Sequence, residues 1–422
     1  MRCVPGIRCL HASKATIMVK WKILLTLCMF SVSVVFLLWK FGEKRTTNST
    51  TVEKSVSESS NLHRYWEIKN TSLGEGKKKL ILLWTKFFNN DGWMKDNVFE
   101  QCPVSSCGFT SDKGQLQKSH VVVFHSRNIN DEYLPTQKWP HQRWLLFNVE
   151  PPYLSSMLPQ KYNSLFNWTM SYRQDSDFVY SYNQVSPHDG GSSFTKVEVG
   201  TKTKLAIAII SNCFAINNRL EYVRELQTHM HLDFYGKCAG RPCFDAECND
   251  AAMKKYKFFL AFENGNCLNY ITEKFWNALL TFDAVPVVLG GSSPRDYELV
   301  APPGSYINTA DFSSPKELAT YLLKLDKDDQ LYMEYHNWRK NYKVVSLGLI
   351  SQKRWKSSLP PHPAWCDLCA ALHNSSLPSQ VYTDLAAWYS QDVCPYDHPN
   401  VFCTSWNRCC FRKNFRDMFS CI

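Results

Sequence analysis

Acidic residues are missing from the first 42 positions of this 422-residue chain. Arg2, Arg8, Lys14, Lys20 and Lys22 precede an uncharged apolar run that opens at Ile23 and closes at Trp39, with Lys40 directly behind it. A small-residue cleavage site is also lacking after the run, which argues against a removable signal peptide and for a single membrane-spanning helix. A span needs about 17 to 25 residues, so this short one suits a thin early-secretory or Golgi bilayer. Positive-inside counting then predicts a type II protein, with a cytosolic tail over 1–22, a signal-anchor over 23–39 and a lumenal body. Net charge is +10, but Arg2, Arg8, Lys14, Lys20, Lys22 and Lys40 all fall in the acid-free stretch and describe topology. Nucleic acid is therefore excluded as the partner that the charge serves. No solenoid-type internal repeat is present either, which excludes a repeat array.

Cysteine, by contrast, is plentiful. Of seventeen, Cys3, Cys9 and Cys28 lie in the tail and span, leaving an even fourteen beyond the membrane. In an oxidising lumen that count points to disulfides. Cys366 and Cys369 form a CxxC pair whose spacing also occurs in redox and zinc motifs, although the compartment favours structural bridges. Cys394, Cys403, Cys409, Cys410 and Cys421 crowd the C-terminal end without an assignable partner. Sequons at Asn48, Asn70, Asn167 and Asn374 all fall on the lumenal side, Asn167 inside a strand pattern.

Residues 40–76 are rich in Ser, Thr, Asn, Glu and Lys with little apolar periodicity, the composition of a flexible stem. The folded body begins with KLILLWTKFF. That segment, HVVVFHS, RWLLFNVE and FNWTMSY are short apolar strands in a first α/β domain over 77–190. The loop VSPHDGGSSF reads as an interdomain linker. A second domain over 191–350 opens with KLAIAII, turns at SNC, and enters a helix with Leu220, Val223, Leu226 and Met230 on one face. Residues 351–422 form a Cys-rich tail. Two Rossmann-like domains facing a cleft is the expected architecture.

Chemistry concentrates in YKFFLAFENGNCLNYITEKFWNALLTFDAVPVVLGG, residues 256–291. The apolar run broken only by Lys257 predicts a buried parallel strand, Glu263, Asn264 and Gly265 a loop, and the pattern from Thr272 onward a helix. In open parallel sheets ligands bind just outside the strands' carboxyl ends, where helix N-termini favour anions. Lys274 stands in the first turn of that helix, where the dipole disfavours a cation unless an anion binds there. Arg219 stands at the corresponding start of the helix after KLAIAIISNC. Both are candidates to hold a diphosphate. Glu150 follows the strand RWLLFNV and precedes Pro151 and Pro152, so a carboxylate sits at a strand end on rigid backbone. It is the candidate general base, with Phe147, Trp144 and Tyr153 as the apolar neighbours expected to raise its pKa.

The FEN, YITEK and VPVVLGG elements resemble the signature of glycosyltransferase family 10, the α1,3-fucosyltransferases. CPVSSCGFTSDKGQLQKSHVVVFHSRNI, RWLLFNVEPP, FNWTMSYRQDSD and SNCFAINNRLEYVREL are similar to further blocks of that family in their usual order, from about residue 80 to 350. The resemblance implies a GT-B-type fold and an inverting enzyme moving L-fucose from GDP-fucose to the 3-hydroxyl of a GlcNAc in Golgi glycans. Its implied actors are Glu150 as base, Arg219 and Lys274 on the diphosphate, and Asn264, Tyr270 and Glu273 on the donor. Glu263 is expected to be structural. It also implies that Cys366 and Cys369 pair with Cys102 and Cys107. No cofactor or metal is required, a divalent ion being at most stimulatory, so Asp175, Ser176 and Asp177 are not expected to form a metal-binding DxD. Three departures stand out: Pro151 replaces the Ser of Glu-Ser-Pro, Asn269 replaces an Asp, and Ser181–Tyr182–Asn183 replaces Pro-Tyr-Gly. Rival readings are transfer to the N-glycan core chitobiose, protein O-fucosylation, or a noncatalytic type II lectin or scaffold. The oligomeric state is left open.

Overall fold

The computed structural model describes residues 77–422 apart from short stretches, of which 153–159, 188–196 and 346–361 are the longest; beyond 394 it describes only backbone strands. Residues 1–76, with the proposed span, the stem, Asn48 and Asn70, lie outside the described residues, as does Tyr153. Among the described residues no helix is long and apolar enough to cross a membrane.

Two parallel sheets organise the body. The first contains β1 (Lys79–Leu83), β2 (Cys107–Thr110), β3 (Val121–His125), β4 (Arg143–Asn148), β5 (Trp168–Ser171) and β6 (Phe178–Val179), in the order β2-β1-β3-β4-β5-β6. After a short β7 (Gln184–Pro187), the second contains β8 (Lys204–Ile209), β9 (Asp233–Tyr235), β10 (Tyr256–Phe262), β11 (Val285–Leu289) and β12 (Ile307–Asn308), in the order β12-β11-β10-β8-β9. Each chain path leaves its first strand to one side and returns on the other. The sheets therefore have switch points between β1 and β3 and between β8 and β10, the crevices where such sheets hold ligands.

Helices follow the strands of the second sheet: α1 (Arg219–Gln227), α2 (Asp250–Met253), α3 (Glu273–Leu280), α4 (Pro294–Val300), α5 (Pro315–Lys327) and α6 (Asp329–Glu334). Leu220, Val223 and Leu226 of α1 and Leu318, Leu322 and Leu325 of α5 cover one face, against Phe258, Leu260 and Val287. Every residue of β10 is buried, Lys257 included, because its ammonium reaches the Asp326 carbonyl at 2.7 Å and the Asp329 carboxylate at 3.1 Å.

The first sheet is covered differently. Between β1 and β6 the described helical turns are all short 3-10 segments. Its two faces are closed instead by helices from the far end of the chain, α7 (Pro363–His373) and α8 (Leu385–Ser390). Trp365 and Leu368 of α7 join Ile81, Val121, Val123 and Phe147, while Leu385 and Tyr389 of α8 join Leu82, Val122, Phe124 and Leu146. The alternation of β1, β3 and β4 separates these two cores, as a pleat requires. One of them continues into the second half through Tyr270, Phe275 and Trp276.

The linker expectation needs a correction. Val185, Ser186 and Pro187 of the proposed loop are strand, because β7 pairs antiparallel with β13 (Tyr342–Val345). Both passages between the halves thus share one ribbon. Three antiparallel strands, β14 (Val401–Ser405), β15 (Arg408–Arg412) and β16 (Phe419–Cys421), end the chain.

Candidate active site

The second half builds its part of the site at the β8/β10 switch point. β10 ends at Phe262, and Glu263 turns inward at 1% exposure. Its carboxylate accepts hydrogen bonds from the Thr272 backbone N–H and hydroxyl, both at 2.8 Å, and from the Lys274 ammonium at 3.0 Å. Thr272 is the N-cap of α3, so a single buried acid anchors both the cap and the cation of its first turn. Lys274 also contacts Glu273 Oε1 at 3.2 Å. Burial works against its charge, but Glu263 and Glu273 overcome this and hold its pKa above the ordinary lysine value. Burial raises the Glu263 carboxyl. Burial also pushes Glu273 upward, yet the Lys274 charge and hydrogen bond bring it below its usual value. The first-turn cation is thus offset by two carboxylates.

Arg219 is the first residue of α1 and is 3% exposed. Its terminal nitrogens donate to the Phe262 carbonyl and the Asn212 carbonyl, both at 2.9 Å. The guanidinium therefore ties the exit of β10 to the exit of β8, and its charge is felt at Lys274. Asn217 adds a bond from Nδ2 to the Glu263 carbonyl at 2.8 Å. Gly291, after β11, packs so closely on the Asn266–Cys267 peptide that a Cβ would collide with main chain.

Glu150 arrives from the first half, just past β4. Asn148 holds its backbone from both sides, Oδ1 accepting the Glu150 N–H at 3.1 Å and Nδ2 donating to the Glu150 carbonyl at 2.6 Å. The Ser126 hydroxyl fixes that Asn148 amide at 2.9 Å. Burial raises the Glu150 carboxyl above its usual value, opposed by Lys274, reinforced by Glu273, and opposed again by Arg127 and by a hydrogen bond from Asn264. The expected aromatic surroundings are corrected here. Phe147 and Trp144 lie in separate cores on opposite faces of β4. The groups that act on the carboxylate are Asn264, Lys274 and Glu273 from the second half and Arg127 from the first. Tyr270, 2% exposed, approaches from the same side, its ring 4.9 Å from Tyr172 and 6.3 Å from Tyr182.

Two family models match consecutive parts of the chain: the N-terminal fucosyltransferase model over residues 76–183 and the glycosyltransferase family 10 (fucosyltransferase) C-terminal model over 199–388. The chain is 33% identical over 315 residues to the alpha-(1,3)-fucosyltransferase 7 of Mus musculus, covering 73% of this chain and 75% of that one. The chain belongs to glycosyltransferase family 10, the fucosyltransferases. It is also 34% identical over 345 residues to the glycoprotein 3-alpha-L-fucosyltransferase A of Drosophila melanogaster, covering 78% of this chain and spanning 62% of that relative's length. Against the human 4-galactosyl-N-acetylglucosaminide 3-alpha-L-fucosyltransferase FUT6 the identity is 34% over 318 residues, 74% of this chain and 83% of that one. A crystal structure of an alpha1,3-fucosyltransferase with GDP aligns over 75% of this chain and 95% of that chain, at TM-score 0.46 and 16% identity.

In this fucosyltransferase the other chemistry-bearing motifs have structural duties. Asp177 accepts from the Thr169 N–H at 2.8 Å and the Tyr382 hydroxyl at 2.9 Å, and also bonds Gln380. Asp175 faces Arg173 and the Trp388 indole. The triplet thus fastens the C-terminal segment to β5. Cys102 bridges Cys366 and Cys107 bridges Cys369. Cys107, Cys369 and His373 have the spacing of a metal site, but the two sulfurs are joined to each other. Cys394 pairs with Cys267, while Cys213–Cys238 and Cys243–Cys248 complete the described bridges.

Asn167 requires a correction as a glycan site. It is 3% exposed, Oδ1 accepts from the Trp144 N–H at 2.9 Å and from Lys138 at 2.6 Å, and Nδ2 donates to the Gln380 carbonyl at 2.8 Å. The folded chain buries the amide nitrogen that a sugar would occupy and engages it with the Gln380 carbonyl. Asn374 caps the end of α7 and is half-buried. Sequence reasoning missed Asn148, Asn217 and Arg127, and it marked Tyr182 only as part of the triplet that replaces Pro-Tyr-Gly; of the three missed, Asn148 alone had a signal, a polar residue two before Glu150 at the end of an apolar run.

Proposed function

We propose that this fucosyltransferase transfers L-fucose from GDP-fucose to the 3-hydroxyl of a GlcNAc in glycoprotein or glycolipid glycans, inverting the anomeric carbon in one displacement. The observation that carries this reading is the meeting of Glu150 with Asn264, Lys274 and Glu273, side chains more than a hundred positions apart in sequence. The acceptor oxygen forms its bond to the anomeric carbon as the bond to the β-phosphate oxygen breaks. Glu150 takes the acceptor proton, and GDP leaves. Lys274 neutralises the charge that develops on the diphosphate. Arg219 adds positive potential at Lys274 and fixes both loops. Asn264, Tyr270 and Glu273 orient the fucosyl group. The raised pKa of Glu150 suits a base, since a carboxylate of ordinary acidity draws a proton more weakly.

Two parallel sheets suit a GT-B enzyme that works in the cleft between them, and residues 23–39 anchor the protein as a type II span with its catalytic body in the Golgi lumen. Turnover needs no metal, because the cations of the site are side chains; EDTA should leave the rate within about twofold, and abolition of activity restored by a divalent ion would refute this. A donor and acceptor panel tests the whole reading. GDP-fucose should be consumed and other nucleotide sugars left intact, with the fucose on the 3-hydroxyl of N-acetyllactosamine or of chitobiose-core glycopeptides. GDP-fucose turnover with neither acceptor would contradict the GlcNAc assignment.

A further inference from the structure

We infer that Tyr182 is a positioning residue for the transfer reaction, holding the Val149–Glu150 peptide and linking it to Tyr270 on the opposite half. This rests on the assignment of Glu150 as base. Tyr182 lies between β6 and β7, is 4% exposed, and donates its phenolic hydrogen to the Val149 carbonyl at 2.7 Å. That carbonyl belongs to the peptide whose N–H is Glu150's own, the one accepted by Asn148. One peptide plane is thus fixed at both its polar atoms.

Tyr270 meets the same side chain from the second half, its ring centroid 6.3 Å from that of Tyr182 and close to perpendicular to it. Since the Tyr182 hydrogen is already directed at a main-chain oxygen, the phenol is not available to carry the acceptor's proton. Its effect is on geometry. Asn264 joins the halves at the carboxylate of Glu150, and the packed tyrosine pair, through the Tyr182 hydroxyl, joins them at its backbone. The orientation of the base then depends on the loop that carries Tyr270, so filling of the donor side and alignment of the base are coupled.

Tyr182→Phe keeps the ring and its packing and removes only the hydrogen bond to the Val149 carbonyl. In the full-length enzyme it should lower kcat by about 10- to 100-fold while changing the KM for GDP-fucose by less than about threefold. The acid limb of kcat/KM should move to lower pH, because a loosened Glu150 loop admits water and relieves the burial that raises its pKa. Tyr270→Ala removes the ring that packs against Tyr182 from the second half. The double variant should fall well short of the product of the two single losses. A Tyr182→Phe enzyme with wild-type kcat and pH profile, or fully multiplicative losses in the double variant, would overturn the proposal. Glu150→Gln separates the two levels: sustained turnover there removes the base assignment itself, whereas its collapse beside an unaffected Tyr182→Phe enzyme removes only the positioning role.

Discussion

Glu150 and Lys274 are opposite solutions to the same problem of charge in a buried place. Lys274 keeps its proton because two carboxylates face it, while burial is the dominant influence on Glu150 and makes it reluctant to lose one. A base acts deprotonated, so kcat/KM should fall as pH drops through the raised pKa. The acid limb of the pH profile therefore lies above the ordinary glutamate value of 4.5. A limb at or below that value would contradict the burial argument. Lys274→Ala removes the partner of two acids, one of them fully buried, and should destabilise the fold by about 3–5 kcal/mol while raising the KM for GDP-fucose at least about tenfold. Adding Glu263→Gln should recover much of the melting temperature and none of the KM, which separates the structural duty of the lysine from its duty toward the donor. Equal recovery of both would mean that the KM effect was only a consequence of lost structure.

The strand-loop-helix unit is the element that turns these residues into a site. Thr272 caps α3 and receives the support of Glu263, so Thr272→Ala should cost about 1 kcal/mol in chemical denaturation and loosen the donor side, read as a higher KM with a smaller change in kcat. Much of this element was legible beforehand: an all-apolar run stops at Glu263, and a helical pattern starts at the residue that caps it. Strands β1, β3, β4, β8, β10 and β11 announce themselves in the same way, because parallel strands with both faces buried read as nearly continuous apolar runs. The ribbon of β7 and β13 did not, since its partners lie more than 150 positions apart and neither segment is a strong strand pattern alone. Arg219 and Lys274 could be placed at helix starts from periodicity. The proximity of Lys274 to Glu150 follows from how the two halves face each other, which no local pattern encodes. Asn167 shows the converse failure: the sequon is a local pattern, but burial decides whether it is available. Mass spectrometry of the folded, expressed protein should find Asn167 unmodified, and a glycan there would contradict the packing of β5 against the C-terminal segment.

At the scale of the molecule, the C-terminal segment completes the first half. It supplies helices to both faces of the first sheet, is fixed to it through Cys366 and Cys369, and then crosses to the second half, where Cys394 meets Cys267. Cys267 lies on the loop between Asn264 and Tyr270, so the last described bridge bears directly on the donor side. Paired Cys267→Ser and Cys394→Ser replacement should cost about 2–4 kcal/mol of stability and raise the KM for GDP-fucose. An unchanged KM would show that the loop holds its shape without the bridge. The two halves bring a base from one to a donor site on the other, and Glu150→Gln probes this meeting, since it keeps size and hydrogen-bonding capacity while removing basicity. The expected result is a collapse of kcat by about a thousandfold or more with GDP-fucose affinity changed by less than about threefold. Loss of affinity in proportion to loss of turnover would contradict it.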